Sequence, residues 1–166
     1  MRNKALGLAD YIVDQKFDIV GLTETWLRQD GADQLTTTSV SPSGYELVSY
    51  PRKTGKRGRV TLLTRGSMHT KPVVKAFSPS TFEYIERVVK IDALSVCIII
   101  IPRPPSNAKN GFTFNGFMQE ISSLLELKMS ASEKLLIAGD FNTHIDDTSS
   151  SNTTRFMDML DALGIQ

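Results

Sequence analysis

Apolar positions recur at helical spacing in three stretches of the chain and as short runs or alternations in seven others. Asn3 stands where a helix cap is expected, and the spacing predicts a helix to about Lys16 with Ala5, Leu8, Ala9, Ile12 and Val13 facing inward. A second helix is predicted over about Asn115 to Lys128, with Phe117, Met118, Ile121, Leu124 and Leu125 on one face. A third covers about Thr154 to Leu163, with Gly164 just past its end. Strands are predicted at Phe17–Thr23, Tyr45–Tyr50, Val60–Thr64, Lys71–Phe77, Phe82–Ile91, Leu94–Ile101 and Lys134–Ala138. Asp92-Ala93 is short enough to join two of them in a hairpin. Arg28 to Gly44 and the glycine-bearing PRKTGKRGR segment read as loops, and Pro104 and Pro105 take the chain out of the sheet. Mixed helix–strand and strand–strand steps predict an α/β or α+β sandwich with helices packed outside sheets.

Composition narrows the picture without adding chemistry. At 166 residues, 40% hydrophobic and 22% charged, the chain fits one soluble domain, residues 1–166, and excludes a disordered tail or a disulfide scaffold. Its lone cysteine, Cys97, lies in the apolar run LSVCIIII and reads as a small buried hydrophobe. That run is far shorter than the roughly 20 residues a membrane-spanning helix needs. The amphipathic start, interrupted by Asp10 and Asp14, does not resemble a secretory leader. An intracellular protein, nuclear or cytoplasmic, with no membrane or disulfide partner is expected.

Candidate chemistry sits at two strand ends. Glu24 follows the Ile19–Thr23 run, and Asp140 follows Leu135–Gly139, with Asn142 two residues on. Carboxylates at the carboxyl ends of buried strands are where α/β folds place ligand sites. Mg²⁺ prefers such hard oxygen ligands. Taken alone the signal is weak, and strand-end Asp and Asn more often serve as turn and cap residues. If the extended backbone continues, Asn142 points to the same side as Asp140. His69 and His144 read as surface residues, and Trp26 as a rim residue or a stacking platform.

Charge is neutral overall, 19 basic against 18 acidic residues, but it is not evenly spread. From Leu47 to Phe82 there are eight Lys or Arg and no Asp or Glu; five of them are Arg52, Lys53, Lys56, Arg57 and Arg59. Such a stretch suits a phosphate backbone, or forms a solvated hairpin compensated by acids elsewhere.

Four blocks in order, DIVGLTETWL, GKRGRVTLLTR, IIIIPRPPS and LLIAGDFNTHID, resemble the endonuclease/exonuclease/phosphatase superfamily. The similarity is strongest to the apurinic-type endonuclease domain of non-LTR (LINE-type) retrotransposons. The resemblance implies a four-layered α/β sandwich of two mixed sheets flanked by helices. It also implies Mg²⁺-dependent hydrolysis of phosphoesters, with DNA nicked in the retrotransposon branch. Carried over by position, Glu24 matches the metal-binding glutamate and Asp140 the aspartate that orients or deprotonates the attacking water. Asn142 matches the asparagine that helps hold the phosphoryl group.

Departures from the family pattern lower the expected activity. The resemblance implies that the sandwich is incomplete at both termini, lacking the first strand and the final Asp and His motifs. Pro102 stands where the family has a tyrosine reaching the scissile phosphate, and Arg57 and Arg59 where the branch tends to have glycine. A catalytic constellation acts as a unit, so a degenerate endonuclease fragment with weak Mg²⁺ binding and little or no turnover is expected. The alternatives are a non-enzymatic nucleic-acid-binding or relic domain, and a phosphatase of small phosphoesters on the same fold. Uncovered sheet edges would be an aggregation hazard, with Val96–Ile101 the expected culprit.

Overall fold

A computed structural model describes residues 5–25, 38–49, 60–74, 77–106, 111–131 and 133–165. The elements run α1 (Ala5–Asp14), β1 (Ile19–Leu22), β2 (Tyr45–Ser49), β3 (Thr61–Arg65), β4 (Thr70–Pro72), β5 (Ile85–Ile91), β6 (Leu94–Pro102), α2 (Phe114–Met129), β7 (Lys134–Asp140) and α3 (Ser151–Ala162). They form two sheets, ordered β1-β3-β2 and β4-β5-β6-β7. The described pairings of the first are antiparallel, while the second is mixed because β6 and β7 run parallel. The fold is therefore a mixed α/β sandwich, as its pattern predicts. Among the described residues, no helix is long and apolar enough to cross a membrane.

Alternation along β5 and β6 builds the core on both faces of the second sheet. Ile85, Val89, Ile98 and Ile100 meet Val60 and Leu62 between the sheets. Cys97, Ile99 and Ile101 point the other way, to Phe117, Ile121, Leu124 and Leu125 of α2 and Phe156 of α3. Each such buried side chain contributes about 1.5–3 kcal/mol, which outweighs the helix propensity of any one residue. Thr113 caps α2 by accepting the Gly116 N–H at 3.0 Å. The sheets come close at Gly21, where a Cβ would stand 2.9 Å from Ile100 Cδ1.

Several boundaries differ from the sequence pattern, each for a physical reason. The expected strand from Phe82 starts only at Ile85, because Ser80 and Thr81 give their backbone N–H groups to the Glu120 carboxylate, both at 2.8 Å. Tyr84 then turns into the helix-side core and donates from its hydroxyl to the Phe77 carbonyl at 2.9 Å. The strand expected over Lys71–Phe77 stops at Pro72, which lacks an N–H, and Val74 beyond it is 90% exposed. Residues 38–40, read as loop, are helical. Val13 does not face inward as expected: α1 presents only a narrow stripe of Leu8 and Ile12 to Val40 and Leu63, leaving Val13 exposed.

The expected hairpin forms, with Asp92 in the left-handed region at φ 54°. Its apolar run is not the uncovered surface, since Cys97 to Ile101 are all buried. Exposed apolar groups lie instead at the hairpin tip, Ile91 and Leu94, and at Leu136 on β7, the outer strand of its described sheet.

Candidate active site

Both candidate carboxylates sit where strands end. Gly21, one residue before the end of β1, lies against Ile100, two residues before the end of β6. Pro102, the last residue of β6, pairs in register with Asp140, the last residue of β7. Glu24 is exposed and left-handed, φ 53°, two residues past β1. A left-handed backbone costs a residue with a Cβ roughly 1–2 kcal/mol, and glutamate lacks the short polar side chain with which Asn and Asp tolerate it. Beside it Thr25 is buried, its Oγ1 3.4 Å from the Thr61 Oγ1, which in turn donates to the Ser49 Oγ at 3.2 Å.

The second strand end is more tightly specified. At Gly139 an added Cβ would fall 2.0 Å from the Ile101 carbonyl oxygen, so the parallel β6–β7 pairing demands glycine there. The Arg103 N–H continues the ladder to the Asp140 carbonyl at 2.8 Å. Asp140 is exposed, and its Oδ1 accepts the Asn142 N–H at 3.0 Å, leaving Oδ2 free of that turn. The extended backbone does not continue to Asn142, which is left-handed at φ 46°, so the expected common orientation with Asp140 is not formed. Its side-chain amide donates instead to the Arg103 carbonyl.

Arg103 is the residue the sequence reading missed. It is only 5% exposed, and its Nη1 donates to the carbonyls of Phe141 at 2.9 Å and Asn142 at 3.3 Å. Burial lowers its pKa from the ordinary arginine value. The IPRPPS block showed a basic residue between prolines, but nothing local marked it as interior.

Other candidates separate cleanly. Pro102 is buried at the end of β6, and His69 and His144 are exposed as expected. Cys97 is buried as expected; burial, then the neighbouring Glu86 carboxylate, pushes its thiol up to about 12. Trp26, Arg52, Lys53, Lys56, Arg57 and Arg59 lie outside the described residues. No group of three or more His, Cys, Asp or Glu side chains is arranged to hold a metal ion among the described residues. Mg²⁺ commonly takes one or two carboxylates and completes its shell with waters and substrate phosphate. An exposed Glu24 fits that sparse arrangement, not an all-protein cage.

The sequence matches the endonuclease/exonuclease/phosphatase family over residues 1–163, and the chain belongs to that family. The fold matches solved structures. The AP endonuclease of Leishmania major superimposes with TM-score 0.69 at 15% identity, covering 97% of this chain and 62% of that one. The endonuclease domain of TRAS1, a telomere-specific non-LTR retrotransposon, gives 0.65 at 12%, covering 96% and 65%. A mannosyl-6-phosphatase from Bacteroides thetaiotaomicron gives 0.68 at 15%, covering 94% and 61%. The chain thus spans about three fifths of the length of these structures. No curated protein sequence matches it.

Proposed function

We propose that the chain is a phosphodiesterase domain of the DNA-nicking kind found in non-LTR retrotransposons, with little or no turnover as this polypeptide. The observation that carries the reaction class is the pair of exposed carboxylates, Glu24 and Asp140, left at the carboxyl ends of strands from two sheets packed at Gly21 and Ile100. Glu24 would hold Mg²⁺, and Asp140 would orient or deprotonate the attacking water through the oxygen not used by Asn142. A bound Mg²⁺ supplies charge stabilisation at the phosphoryl oxygens. Low turnover follows from Pro102, which is buried at the end of β6 and offers no hydroxyl where the family has tyrosine.

The test is nicking of supercoiled plasmid with Mg²⁺, beside Asp140→Ala and an EDTA control. Folded protein is expected to nick at or near the EDTA background. Nicking that needs both Mg²⁺ and Asp140 would bear out the reaction class and overturn the low turnover. A second reading, non-enzymatic nucleic-acid binding, is favoured by the acid-free basic run from Leu47 to Phe82. It predicts plasmid binding that falls steeply with salt and is unchanged by Asp140→Ala. The third, a phosphatase of small phosphoesters, draws support from the mannosyl-6-phosphatase likeness and predicts hydrolysis of a sugar phosphate that Glu24→Ala abolishes.

A further inference from the structure

We infer that Arg103 is the positioning residue of the Gly139–Asn142 turn, fixing Asp140 and Asn142 relative to the end of β6; as a catalytic statement this rests on the reading proposed above. Four hydrogen bonds join the two segments. The Arg103 N–H donates to the Asp140 carbonyl, its Nη1 to the carbonyls of Phe141 and Asn142, and its own carbonyl accepts the Asn142 side-chain amide. Every residue from Asp140 to Asn142 is therefore tied to this one arginine.

The guanidinium is itself held from three sides. Its Nη2 donates to the Ser106 Oγ at 2.6 Å, and its carbon lies 4.7 Å from the centroid of the Phe117 ring and 5.5 Å from that of Phe114. Phe117 is completely buried in the α2 core and touches Phe156, which in turn meets Phe141 in the turn. The turn thus hangs from the hydrophobic core through a stacked arginine. A planar fork that stacks and donates in two directions suits this place, and a lysine ammonium cannot do both.

No partner of Arg103 among the described residues is a carboxylate; its charge meets carbonyl dipoles, a hydroxyl and two ring faces. A buried cation answered only in this way leaves positive potential at the strand end. That potential favours an anionic group such as a phosphodiester beside Asp140, where an acid partner for Arg103 would cancel it.

Arg103→Lys and Arg103→Met in the full chain test the assignment by amide NMR and plasmid nicking together. Arg103→Lys is expected to keep the chemical shifts of α2 while moving the Asn142 side-chain amide signals and speeding their exchange at least tenfold. Where wild type nicks, kcat is expected to fall at least tenfold with KM little changed. Unmoved Asn142 signals in either variant would overturn the positioning role, whatever the activity. A wild type that never nicks defeats the functional reading alone, because the amide signals still decide the geometry. If both variants fail to fold, the wild type decides by itself. A held guanidinium gives separate, slowly exchanging Nη proton signals at low temperature, and a single averaged signal overturns the proposal.

Discussion

Among the described residues two charged side chains are buried, one on the second sheet and one just past its end, and they are treated in opposite ways. Glu86 on β5 is 2% exposed and meets the Lys128 ammonium at 2.6 Å. The Cys97 thiol donates to the same oxygen at 3.4 Å. Arg103, just past β6, is 5% exposed and meets no carboxylate among the described residues. The first charge is cancelled and serves to join α2 to the sheet. The second is left standing beside Asp140. A buried ion costs several kcal/mol to desolvate unless it is paired, so pairing Glu86 and leaving Arg103 without a carboxylate keeps positive potential beside Asp140.

The largest effect that could break this comparison belongs to the paired charge. Glu86→Ala leaves Lys128 with a mostly buried, uncompensated ammonium, and removing one partner of such a pair costs about 3–5 kcal/mol. The expected loss is read from the urea midpoint at pH 7. The double change Glu86→Leu with Lys128→Met should recover most of it, because the pair is worth little against well-packed apolar groups. A cost below about 1 kcal/mol for Glu86→Ala would mean that water already reaches the site, and the contrast with Arg103 would fall.

Glu120 sharpens the point with a carboxylate spent wholly on structure. Its two oxygens accept from the backbone N–H and hydroxyl of both Ser80 and Thr81, at 2.6 to 2.8 Å. Partial burial pushes this carboxyl up, but those donors together outweigh it and hold the pKa below the usual value. A lowered folded-state pKa contributes stability that is present above the unfolded value of about 4.3 and is lost as pH falls through the folded value. Glu120→Gln should cost about 1 kcal/mol at pH 7, discounted for its partial exposure, and the difference from wild type should shrink below pH 4. An unchanged difference from pH 7 to pH 3 would show that the ionised form is not what binds the loop.

Much of the frame was legible in the sequence because it rests on local periodicity. The Phe117–Leu125 stripe gave α2, the apolar runs gave seven strands, and Asp92-Ala93 gave the hairpin. What escaped the pattern depends on partners far along the chain. The 80–84 segment looked like strand because nothing nearby shows that Glu120 would take its amides. Asn142 looked extended because the carbonyl that captures its amide belongs to Arg103, thirty-nine positions earlier. Gly139 was visible as part of a motif, but its need came from the parallel approach of Ile101. Glu24 and Asp140 were readable as strand-end carboxylates. The arginine that organises the second end was not.

High pH separates the two regions at smaller amplitude. Burial, then Glu86, pushes the Cys97 thiol up to about 12 from its ordinary 9, and burial does the same to the Tyr84 hydroxyl from 10. A raised folded-state pKa gives stability that is complete below the unfolded value and is lost as pH rises toward the folded one. The urea midpoint should therefore fall between about pH 9 and 12, and Cys97→Ala should flatten part of that slope. At pH 8 a disulfide reagent should label Cys97 only in urea, since the buried thiol offers almost no thiolate. Rapid labelling of native protein would show that the Glu86 cluster opens to solvent.

The smallest effect tests the other strand end. Glu24 holds a left-handed backbone at φ 53°, a conformation that the short side chain of Asn142 tolerates better than a glutamate does. Replacing it by glycine removes roughly 1–2 kcal/mol of steric cost, offset by about 0.5–1 kcal/mol of extra unfolded-chain entropy. Glu24→Gly is thus expected to raise stability by about 0.5 kcal/mol, a small upward shift in the urea midpoint, while removing the carboxylate proposed to hold Mg²⁺. Local strain retained at a residue is a pointer to function when its removal stabilises the fold. A clear loss of stability on Glu24→Gly would mean that the side chain anchors the loop to Thr25 and its neighbours. The strain at β1 would then belong to architecture, and Asp140 with its arginine would be left as the one end of the sandwich organised for chemistry.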